Sequence, residues 1–180
     1  NQRILVDCGM FQGLKNLRDL NWEPFPVEPR SIGAVVLTHA HLDHSGYLPR
    51  LAKEGFHGPV YATEPTIGIA KIAFEDAANI YREDIEKKRI RHAHEGRVSG
   101  HPYEPLYTLE EAQAVFPLFH TVAYGEPVAL GDGYTATFHN AGHILGSASL
   151  AITDAQSKTR AVFSGDLGRP GKPLLPDPET

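Results

Sequence analysis

The sequence predicts a mixed, layered α/β domain, on three observations. Apolar runs with strand character alternate with helical periodicity as far as Pro117, and closely spaced strands follow. Apolar residues make up 41% of the chain and charged residues 22%, the balance of an ordinary globular protein rather than a disordered, collagenous or coiled-coil one. The chain has 180 residues, and one domain usually takes ~100–200. Neither regular βαβ alternation nor a ladder of hairpins fits throughout, so strands and helices are expected in packed layers.

The elements follow in order. Ile4–Asp7 reads as a buried strand. From Gly9 to Arg30 the chain reads mostly as loop, because Pro24, Pro26 and Pro29 interrupt regular structure. Ala34–Leu37 is a second buried strand and runs straight into Thr38-His39-Ala40-His41. Tyr47–Glu54 reads as a short helix closed by Gly55. Val60–Ala62 is a strand, and Thr63 caps the next helix, with Pro65 tolerated in its first turn. That helix should bury a stripe of Ile69, Ala73, Ala77, Ile80 and Tyr81 and turn polar towards Arg91. His92–Tyr107 reads as a long loop. Thr108 and Glu111 form a capping box for a helix ending near Pro117. Strands are expected at Phe119–Ala123, Val128–Leu130, Tyr134–Asn140, Ser147–Thr153 and Arg160–Ser164. The proline-rich end from Gly168 to Thr180 reads as irregular. With Asn1-Gln2-Arg3 entering an apolar run at once, both ends suggest a piece of a longer protein.

Composition excludes several functions. No aliphatic stretch approaches the ~20 apolar residues of a membrane helix. The single cysteine, Cys8, rules out an intrachain disulfide scaffold and favours a reducing, cytoplasmic setting. Lys and Arg total 17 against 22 Asp and Glu, a net charge of −5, so a protein that coats nucleic acid by bulk charge is not expected. Ten histidines stand out.

Their placement carries the chemistry. Three imidazoles and a carboxylate, His39, His41, Asp43 and His44, fall within six residues just past a buried strand. Imidazole nitrogen and carboxylate oxygen suit a divalent zinc ion. A strand end followed by a tight loop can aim His39 and His41 at one centre and turn Asp43 and His44 towards another. Chance clustering explains a lone histidine but not the H-x-H-x-D-H spacing. A structural zinc site is the intermediate reading, although such sites are usually cysteine-rich and closed. Two later residues complete a set: His143, in Ala141-Gly142-His143-Ile144-Leu145-Gly146-Ser147, and Asp166, in Phe163-Ser164-Gly165-Asp166-Leu167-Gly168. Each of those motifs alone is weak, since a Gly-Asp-x-Gly loop is often only a turn.

Asp7, the His39–His44 cluster, His143 and Asp166, in this order, resemble the first four motifs of the metallo-β-lactamase fold. The flanking Met10-Phe11-Gln12-Gly13, His44–Arg50, Ala141–Ala148 and Phe163–Pro170 are similar to its β-CASP branch of RNA-processing nucleases. The resemblance implies an αββα layered sandwich, incomplete here, with residues 1–180 forming a partial domain that lacks the first strands and the downstream β-CASP part. It also implies two zinc ions. His39, His41 and His143 would hold one, Asp43 and His44 the other, and Asp166 would bridge them. Asp7 would steady a histidine of the second motif. Asp43 would also orient a hydroxide shared by the metals for in-line attack on an RNA phosphodiester. The last ligand histidine and the general acid of the family lie downstream of the fourth motif, beyond Thr180.

Other residues have blander readings. His92 and His94, beside Lys87, Lys88, Arg89 and Arg91, read as a solvated basic face, with a phosphate-backbone contact as the sharper alternative. His139 reads as a packing residue or a support for the site. His57, His101 and His120 read as surface residues, and Cys8 as a buried thiol. Phe11 is read as pinning its loop, with base stacking as the alternative, and Trp22 as an anchor. Ser45 and Ser164 need no role as nucleophiles. The expected function is a zinc-dependent ribonuclease with an RNA substrate and no membrane partner. A thioester, lactone or DNA phosphodiester hydrolase is the competing reading, and a non-catalytic paralogue the third. Exonuclease or endonuclease action, and assembly as a homo-oligomer, stay open.

Overall fold

A computed structural model describes residues 3–98 and 103–179. His101 and the middle of the expected 92–107 loop lie outside them. Strands β1 (Arg3–Val6), β2 (Ile32–Val36), β3 (Val60–Thr63) and β4 (Phe119–Val122) form a parallel sheet in chain order. Strands β5 (Pro127–Gly131), β6 (Tyr134–Asn140), β7 (Ala148–Asp154) and β8 (Thr159–Phe163) form an antiparallel sheet, also in chain order. The helices are α1 (Lys15–Asp19), α2 (Leu42–Ser45), α3 (Leu48–Lys53), α4 (Glu64–Glu95) and α5 (Leu109–Gln113).

Two cores hold these layers together. Buried Val35, Leu48, Leu51, Phe56, Phe74 and Tyr107 fill the space between the parallel sheet and the helices. Val36, Leu130, Phe138 and Leu150 fill the space between the two sheets. Strand β2 serves both, so Ala34 to Leu37 are buried without alternation, as expected of a parallel strand covered on both faces. The order is helices, parallel sheet, antiparallel sheet. Strand β8 is exposed along its length, and the second helical layer of a four-layer αββα sandwich is not found among the described residues.

Most expected elements are present, and three differ. Helix α4 runs on through His92 and His94 to Glu95, where Gly96 ends it in the left-handed conformation. Its polar second half is rich in Lys, Arg and Glu, which sustain a helix without an apolar stripe. The buried stripe is Ile67, Ala70, Phe74, Ala77 and Ala78, while Ile80 is exposed. The large Phe74 ring sets the face that turns inwards. Helix α1 forms inside the expected 9–30 loop, where Lys15 and Asp19 pair at 2.6 Å one turn apart. The Thr108–Glu111 capping box is present with both of its hydrogen bonds.

Phe74 is fully buried between α4 and the sheet. Phe74→Ala should cost ~3–5 kcal/mol by the usual cavity penalty, read as a lower urea midpoint with an unchanged slope.

Candidate metal centre

Asp7 is the residue on which the local fold turns. Parallel pairing sets Val6 beside Val36, so the chain just past β1 lies against the chain just past β2. Asp7 itself has φ 58, a left-handed conformation rare for a residue with a side chain. One carboxylate oxygen accepts the Thr38 backbone N–H at 2.7 Å. The other accepts the Thr38 hydroxyl at 2.8 Å and lies 2.7 Å from Nδ1 of His44.

These bonds fix protons on two rings. The Thr38 hydroxyl spends its hydrogen on Asp7, so His39 Nδ1, 3.0 Å from Thr38 Oγ1, is the donor in that contact. The carboxylate of Asp7 accepts from His44 Nδ1. Both rings are thereby held with a bare Nε2, the atom available to a metal. Burial lowers the His39 pKa to about 4, aided by neighbouring His44 and His41 and opposed by Asp166. Burial lowers that of His143 as well, again against Asp166. Both rings are neutral near pH 7, and their approaches to Asp166 are not ion pairs.

The segment that carries the cluster is fastened at several points. His41 opens α2, and its carbonyl accepts from the N–H groups of His44 and Ser45. The buried Ser45 hydroxyl donates to the Ala40 carbonyl at 2.9 Å. Gly9 presses so closely on α2 that a Cβ there would come within 1.7 Å of the Asp43 carbonyl oxygen. The His143 bend is folded by buried Ser147, whose hydroxyl accepts from the backbone N–H groups of His143 and Ile144. Thr63 and Thr66, at the start of α4, both donate to the Gly146 carbonyl, and Ala148 N–H donates to Thr38 O at 2.7 Å. The Asp166 loop docks on this bend through Gly168. Its N–H reaches Ala141 O at 2.7 Å, and a Cβ there would strike the Gly142 carbonyl.

The result is a convergence. His39 Nε2 lies 3.0 Å from His41 Nδ1, which lies 3.3 Å from His143 Nε2. Asp166 Oδ2 is 3.5 Å from His143 Nε2 and 3.9 Å from His39 Nε2, and its Oδ1 is 3.3 Å from His44 Nε2. The ligand atoms of His39, His41, His143 and Asp166 all fall within 4.8 Å of one another. Donors ~2.0–2.1 Å from a tetrahedral zinc stand about 3.3 Å apart, so three nitrogens and an oxygen at these spacings fit such an ion.

Of the residues singled out in the sequence, Asp43 stands apart. It sits on α2 between Leu42 and His44, exposed, and is not a member of the four-residue group. His139 lies on β6 with Nδ1 3.3 Å from Glu179 rather than at the centre. Cys8 is buried, and burial together with Asp7 pushes its thiol far above the usual range. His57 and His120 are exposed. Sequence reasoning missed Thr38, Ser147 and Lys172, whose ammonium donates to the His143 carbonyl at 3.1 Å. Thr38 and Ser147 border the motifs and could have been suspected as their supports, but nothing in the sequence marks Lys172.

Comparison with known proteins accords with this geometry. A family model described as a metallo-beta-lactamase superfamily domain matches residues 1–164. A protein named ribonuclease TTHA0252, from Thermus thermophilus, is 38% identical over 98% of this chain and 35% of its own length. A protein named transcription termination factor FttA, from Cenarchaeum symbiosum, is 32% identical over 97% of this chain and 25% of its own. The chain thus spans about a third or less of the length of these relatives. A solved metallo-beta-lactamase from Cronobacter sakazakii with a HARLDQ motif superposes with a TM-score of 0.50 at 22% identity, over 95% of this chain and 51% of that one.

Two outcomes are expected. In metal-free protein His39 resists protonation that the unfolded chain accepts, so stability should fall as pH drops from about 6.5 to about 4. His39→Gln should flatten that slope in chemical denaturation series. Asp7→Asn should weaken binding of a divalent metal at this group ~10–100-fold in competition with a chelating indicator, through lost control of His44 and Thr38.

Proposed function

Because the chain belongs to the metallo-beta-lactamase superfamily, we propose that it is the N-terminal part of a metal-dependent nuclease that hydrolyses RNA phosphodiesters. The observation that carries the reading is the division of the Asp166 carboxylate. One oxygen faces His39 and His143, and the other faces His44. A carboxylate placed between two sets of imidazoles suits a pair of metal ions better than one. On this reading His39, His41 and His143 would hold one zinc and Asp43 and His44 the other, with Asp166 serving both. Held there, a zinc pair would supply an acidified water and positive charge to offset the negative charge that develops on phosphate oxygens.

The protein's own groups prepare that chemistry. Burial keeps His39 unprotonated and able to donate its lone pair. Asp7 holds His44 in the tautomer that points Nε2 at Asp166. On this reading Asp43, exposed on α2, would complete the second set and orient the attacking water once metal is bound. RNA as substrate rests on the relatives named ribonuclease and transcription termination factor, and on the β-CASP-like flanks of the motifs. The remaining ligand and the group that protonates the leaving oxygen come from further chain. Retention of His39, His41, Asp43, His44, His143 and Asp166 together argues against a non-catalytic paralogue. No helix of the described residues is long and apolar enough to cross a membrane, and a buried lone thiol fits work in the cytoplasm.

The test is metal analysis joined to cleavage. The purified full-length protein should carry zinc and cut single-stranded RNA. His39→Ala/His41→Ala should lose zinc and at least ~10²-fold in rate, and Asp43→Asn should lose rate while keeping RNA affinity. A double variant with undiminished zinc would overturn the ligand assignment.

A further inference from the structure

A groove of about 660 Å³ separates the Met10–Trp22 segment from the second half of α4. Three rings line it: Phe11, Trp22 and Tyr81. Lys15 and Arg18 of α1 stand on one wall, and Lys87, Lys88 and Arg91 of α4 on the other. Three carboxylates, Asp19, Asp84 and Glu104, share the lining. Cations therefore exceed anions here, although the chain as a whole carries −5. Lys15 pairs with Asp19 and Lys87 with Glu83, and Lys88 lies 5.9 Å from the centre of the Tyr103 ring. Exposed pairs of this kind hold little energy in water and yield readily to a phosphate.

Phe11 is built to be presented. The residue is 50% exposed, yet its backbone is clamped. Asn21, 2% exposed, accepts from Phe11 N–H at 2.8 Å and donates to Phe11 C=O at 2.9 Å. A buried amide is thus spent on immobilising a residue whose side chain faces solvent. The loop is also tied to the metal-centre helix, with Cys8 N–H to His44 O at 2.6 Å and Met10 N–H to Leu42 O at 2.9 Å. Phe11 follows Asp7 by four residues, at most ~14 Å of extended chain.

We infer that this groove binds the single-stranded RNA that flanks the reacting phosphate, with a base stacked on Phe11 and phosphates held by Arg18, Lys88 and Arg91. The inference rests on the ribonuclease reading and adds the path the strand takes. An exposed ring on a clamped backbone accepts any base by its face, but only a base freed from a duplex. Long cations on both walls suit a backbone that runs along the groove. Two features that lie some seventy residues apart in the sequence, the Phe11 loop and the basic end of α4, become one surface only in the fold.

The experiment is fluorescence anisotropy of the full-length, zinc-loaded protein with a labelled single-stranded oligouridylate. Phe11→Ala should weaken binding roughly 5- to 100-fold, and Phe11→Trp should restore it. Lys88→Ala/Arg91→Ala should lower the slope of log affinity against log salt by about 1.4, the value for two lost phosphate contacts on a single strand. Zinc content should be unchanged in all three. Variants that bind RNA with wild-type affinity and salt slope overturn the groove assignment and leave the ribonuclease reading intact. Variants that lower the melting temperature with RNA affinity unchanged also overturn it, because the groove then holds another part of the protein. A wild-type protein that carries zinc but neither binds nor cuts RNA removes the ribonuclease reading itself.

Discussion

One carboxylate organises this molecule. Asp7 accepts from the Thr38 backbone, the Thr38 hydroxyl and His44 Nδ1, all within 2.8 Å. It thereby joins the end of β1 to the start of the histidine cluster and to α2 beyond it. The cost is a left-handed backbone at a residue that has a side chain. Such conformations persist where the surroundings over-determine them. Here the parallel pairing of β1 with β2 and the close approach of Gly9 to α2 do so. The proton positions on His39 and His44 then follow from hydrogen bonding rather than from any property of the rings.

The two sheets contribute in different ways. The parallel sheet delivers Asp7 and the Thr38–His44 segment from the carboxyl ends of neighbouring strands, where open α/β sheets place their ligands. The antiparallel sheet delivers His143 from the β6–β7 bend and Asp166 from just past β8. The layers meet through the apolar core around Val36, Phe138 and Leu150, and at the rim through Ala148 N–H to Thr38 O. The centre is therefore a property of the interface between sheets. No single strand or loop possesses it.

Much of this was legible in the sequence. The strand boundaries at Tyr134–Asn140 agree with the structure, the Thr108 capping box is present, and His39, His41, His143 and Asp166 converge. Local chemistry carries such signals, because turn residues, caps and the H-x-H-x-D-H spacing act over a few residues. Other features depend on tertiary context. Ile80 carries the right residue type for a buried stripe, but the face is chosen by Phe74. Helix α4 extends to Glu95 on helix-forming residues, charge pairs such as Glu83–Lys87 and the Gly96 cap, without the apolar period that marks a helix end. The backbone strain at Asp7 arises from what the carboxylate must reach in space. Asp43 lay in the motif, yet its neighbours leave it exposed on a one-turn helix.

The order of the strands bears on how such a protein comes off the ribosome. His44 and Asp166 face each other at 3.3 Å but are separated by 122 residues of chain. At ~5–20 residues per second, the histidine cluster waits roughly 6–24 s after its own synthesis before Asp166 exists. Throughout that interval the nascent chain offers imidazoles without the carboxylate that would join them. The centre is therefore completed only with the second sheet, because His143 and Asp166 both come from it.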